Sequence, residues 1–276
     1  MMAGKGEPYP TSKRSKRMCT AFIHKGKHLI CGFNLDINEG AMDYRVFSEP
    51  GRFYIGVDLR HAAMTANGSD WPAYYRVDNQ VRKIMGVNRE GLFAVCLNNM
   101  NCPKAPFHPG GEAFAIDQLM DDCISGRITV EEARRIAHEK ELVNLPTGSV
   151  DIPSLAFHGF ITGPESPILL VEPGNGYAVL QDRWAAMTNY ALLEPPADLT
   201  PETYGYYGKD RMDTAMAILR QRDSHFSRED GLEILQRTKQ TGPWATRVSF
   251  VYHSGENAVY YCLQGDFDRI RRHSFE

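Results

Sequence analysis

Apolar residues along this chain fall in short blocks, and turn-forming residues separate almost all of them. The runs Thr20–Ile23 and His28–Leu35 are apolar and β-leaning, and the turn Lys25-Gly26-Lys27 between them makes a hairpin. Further strands are expected at Tyr44–Ser48, Phe53–Leu59 and Gly91–Leu97. Residues 98–110, rich in Asn, Pro and Gly, read as a loop. Apolar residues at 113, 116, 119, 120 and 124 recur with a 3.6 period and predict a helix over Glu112–Ser125. Thr129, followed by two acids, opens a second helix running to about Leu142. Beyond a loop at 143–153, strands are expected at Leu155–Ile161, Ile168–Glu172, Tyr177–Gln181 and Trp184–Asn189. A Pro-, Gly- and Tyr-rich loop at 194–208 precedes helices at Lys209–Arg222 and Arg228–Lys239. Thr246–His253 and Ala258–Leu263 close the chain as a hairpin around Ser254-Gly255-Glu256-Asn257.

The order is strands, helices, strands, helices, strands. No regular βαβ alternation occurs, which argues against a doubly wound parallel sheet. Two antiparallel sheets with helices packed outside them fit the pattern. No internal repeat, low-complexity segment or domain boundary interrupts it. The expected division is a leader or propeptide over 1–18 and one domain over 19–276.

Composition narrows the function classes. The chain has 276 residues, net charge −3, 42% hydrophobic and 24% charged residues. This balance gives no reason to expect a nucleic-acid partner. No apolar run approaches 18 residues, so no membrane span is expected. Residues 1–17 are polar and basic, without the apolar segment of a secretory signal. They read as a disordered tail, a protease recognition site or a mistaken start. Cysteines stand at 19, 31, 96, 102, 123 and 262. Their spacing has no C-x2-C pair and no neighbouring His cluster, so no metal site is expected. So sparse a set suits a reducing compartment, and a cytoplasmic location is expected.

Met18-Cys19-Thr20 carries the first candidate chemistry. Removal of Met18 and everything before it gives Cys19 a free α-amino group, whose ordinary pKa is about 8. One residue then supplies both nucleophile and base. A lone cysteine opening a strand is more often simply packed. A conventional Cys-His thiol hydrolase is the competing enzyme reading.

The residues that follow change the weighing. Cys19-Thr-Ala-Phe-Ile leads through the hairpin to Gly32-Phe-Asn-Leu-Asp36. Downstream come Met85-Gly-Val-Asn88-Arg-Glu-Gly91, Gly91-Leu-Phe-Ala-Val-Cys-Leu-Asn98, Thr188-Asn189, Arg211 at a helix start, and the final hairpin. In order and layout these resemble the choloylglycine hydrolases, penicillin V acylases, acid ceramidase and isopenicillin-N acyltransferases, over residues 18 to about 268. The resemblance implies that Cys19 is the nucleophile and that Asp36 holds its α-amino group. It implies that Asn189, with the backbone of Asn98, binds the oxyanion, and that Arg211 supports the charge network. Phe33 departs from it, standing where choloylglycine hydrolases and ceramidase carry Arg.

The fold so implied is an α+β, four-layered αββα sandwich. The activity is a cysteine amidase cleaving a linear, non-peptide amide through an acyl-thioester, with no cofactor. A small-molecule amide is the expected partner, and a homo-oligomer the assembly suggested by family analogy. An acyltransferase using the same acyl-enzyme, or a non-catalytic binding protein, are the alternatives.

Overall fold

A computed structural model describes residues 19–38, 44–58, 81–102, 105–144 and 156–275. The expected leader over 1–18, Leu59, Leu155 and most of the loop at 143–153 lie outside the described residues. The first strands are β1 (Thr20–Lys25), β2 (Leu29–Asp36), β3 (Tyr44–Glu49), β4 (Arg52–Asp58), β5 (Val81–Asn88) and β6 (Phe93–Asn98). A short β7 (Ala113–Ala115) leads into helices α1 (Ile116–Ile124) and α2 (Val130–Glu139), followed by β8 (Glu141–Val143). Then come β9 (Phe157–Thr162), β10 (Ile168–Glu172), β11 (Gly176–Leu180) and β12 (Trp184–Met187). A helical turn at Tyr204–Tyr207 precedes α3 (Lys209–Gln221) and α4 (Arg228–Thr238). Strands β13 (Thr246–His253), β14 (Ala258–Leu263) and β15 (Arg271–Ser274) end the described chain.

The strands form two antiparallel sheets of order β12-β1-β2-β13-β14-β15 and β11-β10-β9-β6-β5-β4-β3. Helices α1 and α2 lie against the second sheet, α3 and α4 against the first. This is the expected four-layered sandwich. Among the described residues no helix is long and apolar enough to cross a membrane.

Strands β1 and β2 are covered on both faces, so they are almost wholly buried. Their alternation decides what goes where. Ala21, Ile23, Cys31, Phe33 and Leu35 join the core shared with the other sheet. Phe22 and Ile30 turn the other way and meet Ile218, Leu219, Ile234 and Leu235 of the two helices. Between the sheets sits an aromatic cluster around Phe250 of β13. Its ring centroid lies 5.9 Å from Phe33, 5.3 Å from Phe53 and 6.1 Å from Phe93.

The capping signal read from sequence at Thr129 holds. Thr129 accepts from the Glu132 amide, and Glu132 reciprocates, in a capping box that starts α2. Ser227 and Asp230 do the same for α4. Other boundaries moved. The helix expected from Glu112 starts only at Ile116, because 113–115 pair as a strand with 141–143.

Strand β5 was not expected, because Arg82 and Lys83 mask its apolar pattern. The pairing slips opposite Ile55 and Gly56, where Ile84 is the extra residue of a β-bulge. Arg82 then meets Asp117 at 3.3 Å and Lys83 meets Asp121 at 3.5 Å, both acids on α1. Charges that argue against a central strand are neutralised by the helix above it. Strand β15 was missed because it is a half-exposed, basic edge.

Phe33 tests the aromatic cluster. Leu in its place should cost about 1–2 kcal/mol, a truncation the core partly absorbs. Arg should cost well over about 3 kcal/mol, because it brings an unpaired charge into a dry site. Urea unfolding of Phe33→Leu and Phe33→Arg reads both; equal losses would remove the cluster as the reason for Phe33.

Candidate active site

The hairpin register pairs Thr20 with Asn34, which carries Asp36 back past Cys19. The Cys19 thiol lies over the Asp36 carbonyl, with Sγ 3.9 Å from that oxygen. Strand β13 flanks the other side, and Thr246 donates to Asp36 Oδ1 at 2.5 Å. Asp36 Oδ2 is buried without a hydrogen-bond partner and stands 3.8 Å from Arg211 Nη1.

Arg211 comes from the first turn of α3, at 4% exposure. Its Nη1 donates to the Cys19 carbonyl at 2.5 Å and to Thr20 Oγ1 at 2.7 Å. Its Nη2 donates to Asn189 Oδ1 at 3.0 Å. The Asn189 amide in turn donates to the Asn98 carbonyl at 2.8 Å. One guanidinium thus joins β1, the segment after β12 and, through Asn189, the end of β6. The rigid fork of Arg serves this multidentate role better than an ammonium could.

Gly208 makes the approach possible. It holds a left-handed φ of 81° between the helical turn at Tyr204–Tyr207 and α3. A Cβ there would overlap Arg211 Nη2. The absence of a side chain lets the guanidinium fold back toward Cys19.

The electrostatics follow from burial. The Cys19 thiol is pushed up to about 12 by burial and by the Asp36 charge, against the Asp36 backbone hydrogen bond and the Arg211 charge. Burial also raises Asp36, to about 8, against the pull of Arg211 and the Thr246 hydrogen bond. Arg211 is lowered by burial, with the Asp36 charge opposing. Such a thiol needs a base beside it to become a nucleophile. The buried histidines are committed elsewhere: His24 Nε2 bonds Asp223, while His158 bonds Glu172 and the Thr188 carbonyl.

The structure therefore brings Cys19, Asp36, Asn189 and Arg211 into one hydrogen-bonded and charge-paired group. Asn98 enters through its carbonyl, not its side chain. Phe33 stands fully buried in the aromatic cluster, so position 33 brings no cation to the thiol. Sequence reasoning missed Thr20, Thr246 and Gly208. Their partners lie some 190 to 210 residues away along the chain, except for Gly208, whose role depends on where α3 lands.

No protein-family model and no curated protein matches the chain. Solved structures do. A Cys-to-Ala mutant of conjugated bile acid hydrolase from Clostridium perfringens aligns with a TM-score of 0.57 at 13% identity, over 92% of this chain and 91% of that one. The chain has the N-terminal-nucleophile hydrolase fold. An arginine-to-leucine variant of the same enzyme gives a TM-score of 0.53 at 14% identity, over 92% of each chain. Penicillin V acylase from Agrobacterium tumefaciens gives 0.49 at 12%, over 89% of this chain and 83% of that one.

Two predictions test the network. With residues 1–18 retained, a raised Asp36 means stability that is fully present below about pH 4 and is lost as pH rises toward 8. Asp36→Asn mimics the neutral acid, so its melting temperature should match the parent near pH 4 and exceed it near pH 9. A parallel pair of curves would contradict the raised carboxyl. Gly208→Ala should lower stability by about 1–3 kcal/mol in urea, through its φ and the displaced guanidinium. Full stability in that variant would show that Arg211 does not depend on the glycine.

Proposed function

We propose that the chain is a cysteine amidase whose nucleophile is Cys19 once residues 1–18 have been removed. The observation that carries this reading is the Arg211 network, which ties the Cys19 carbonyl to Asn189 and stands beside Asp36. The fold shared with conjugated bile acid hydrolase supports it.

Removal of Met18 turns the Cys19 nitrogen into an amine on the residue whose thiol lies over the Asp36 carbonyl and whose own carbonyl shares Arg211 Nη1 with the Asp36 carboxyl. An ammonium there would hold the carboxylate ionised against its burial. As a neutral amine the same group takes the thiol proton. The thiolate then attacks the carbonyl carbon of a linear amide. Negative charge gathers on the carbonyl oxygen, and the Asn189 amide, steadied by Arg211 and the Asn98 carbonyl, donates its second N–H to it. A donor of this kind is typically worth about 3–4 kcal/mol. The C–N bond breaks, the leaving amine takes the proton held by the α-ammonium, and an acyl-thioester remains on Cys19. Water, deprotonated by the α-amine, releases the acid. An amine in place of that water would make the same site an acyltransferase.

The test compares the full chain with one expressed from Met18, whose methionine is removed in the cell to expose Cys19. Intact mass fixes each N-terminus. Only the form beginning at Cys19 should turn over fatty-acyl p-nitroanilides, and Cys19→Ala should abolish the activity. Equal turnover by a chain that keeps residues before Cys19 would sink the α-amine mechanism. Products formed with an added amine separate hydrolysis from acyl transfer.

A further inference from the structure

Behind Asn189 lies a second buried charge cluster that the proposed chemistry does not use. His158 of β9 and Glu172, at the end of β10, are both fully buried. Both belong to the seven-stranded sheet, yet their polar atoms reach the segment that leaves β12 of the other sheet. His158 Nε2 lies 2.7 Å from the Thr188 carbonyl and Nδ1 lies 3.2 Å from Glu172 Oε1. Glu172 Oε1 accepts from the Leu192 amide at 2.6 Å. Its Oε2 accepts from the Leu193 amide at 3.0 Å and from Asn175 Nδ2 at 3.3 Å.

The donor and acceptor inventory fixes one ring proton. A carbonyl only accepts, so Nε2 carries a hydrogen. Glu172 receives three other donors, the environment of a carboxylate. Burial pushes the Glu172 carboxyl up, but the hydrogen bond and charge of His158 and the two leucine amides hold it below the usual carboxylate range. The result is a hydrogen-bonded His158–Glu172 pair, buried on all sides, that grips Thr188 before Asn189 and Leu192 and Leu193 after it. Further ties complete the grip: the Met100 amide donates to the Asn189 carbonyl, the Asn189 amide to the Tyr207 carbonyl, and the Ala191 amide to Asn101 Oδ1. Arg211 orients the Asn189 side chain, but only a fixed main chain gives that side chain a fixed origin.

We infer that the His158–Glu172 pair is a positioning element of the oxyanion site, clamping Thr188–Leu193 to the opposite sheet so that the Asn189 amide is held where charge develops. Its role in catalysis rests on the amidase reading; its role as a clamp does not. A buried pair of this kind adds little net stability over apolar side chains of the same size. Its use is to specify one arrangement of the segment.

The experiment has two arms. The first is independent of activity and uses nuclear magnetic resonance on the parent and on Glu172→Gln. The parent should show the His158 Nε2 proton protected from exchange by its bond to the Thr188 carbonyl; a rapidly exchanging ring proton overturns that contact. Exchange of the Leu192 and Leu193 amides should quicken tenfold or more in Glu172→Gln, relative to β13 amides such as that of Val251. Unchanged exchange overturns the clamp. The second arm measures p-nitroanilide turnover and Cys19 alkylation by iodoacetamide in Glu172→Gln and His158→Gln. Alkylation displaces iodide at a saturated carbon and forms no oxyanion. A clamp on the oxyanion donor therefore lowers kcat about tenfold or more, with KM and the alkylation rate within about twofold of the parent. Unchanged kcat, or kcat and alkylation falling together, overturns the positioning role. Turnover that survives Cys19→Ala, or is absent from the parent, overturns the amidase reading instead and with it the catalytic role of the pair, while the first arm still decides the clamp.

Discussion

The Arg211 guanidinium is the interaction on which the candidate site depends. It is buried and faces the Cys19 carbonyl, the Thr20 hydroxyl, the Asn189 side chain and the Asp36 carboxyl. Those partners belong to three separate stretches of chain. A buried cation with this many acceptors is costly to desolvate and costly to leave unpaired. The elements that present the acceptors are thereby held in one arrangement. Gly208 is the local condition for it, since any side chain there would take the space of the guanidinium.

Beneath that network the two sheets impose a different constraint. Strands β1 and β2 are inner strands buried on both faces, so each residue on them belongs either to the inter-sheet core or to the helix-facing core. Phe33 falls on the inter-sheet side and joins Phe250. An arginine there would point into the same aromatic cluster. With Phe33 in place the site has Arg211 as its buried cation, and the thiol stays protonated until a base is supplied.

The sandwich also divides labour between its ends. Cys19, Asp36, Asn98 and Asn189 all stand at strand ends on one edge of the sandwich. At the other end of β1, Lys25 donates to the carbonyls of Gly163, Pro164 and Ser166 and so pins the turn that joins β9 to β10. The sheets are thus tied at both ends by buried or half-buried polar groups, by Lys25 at one and by His158 and Glu172 at the other. The core between the sheets is apolar, and Ser48 of β3 adds a further polar tie to His273 of β15.

Much of the architecture was legible in the chain itself. The first and last hairpins, the helix starts at Thr129 and Arg228 and the strand-and-helix order are local features, fixed by turn residues, caps and periodicity within a few residues. The candidate residues Cys19, Asp36, Asn189 and Arg211 were named because their order along the chain resembles that of the choloylglycine hydrolases and penicillin V acylases. Strand β5 was hidden, because its charged residues read as exposed until α1 supplied Asp117 and Asp121. The partners of Arg211, 192 residues apart in the case of Cys19, and the capture of Thr188 by His158 were equally hidden. Local sequence determines which backbone states are cheap and which faces are apolar. Tertiary structure alone decided which charges meet, because burial makes a charge or a hydrogen bond consequential, and burial exists only after distant segments have packed.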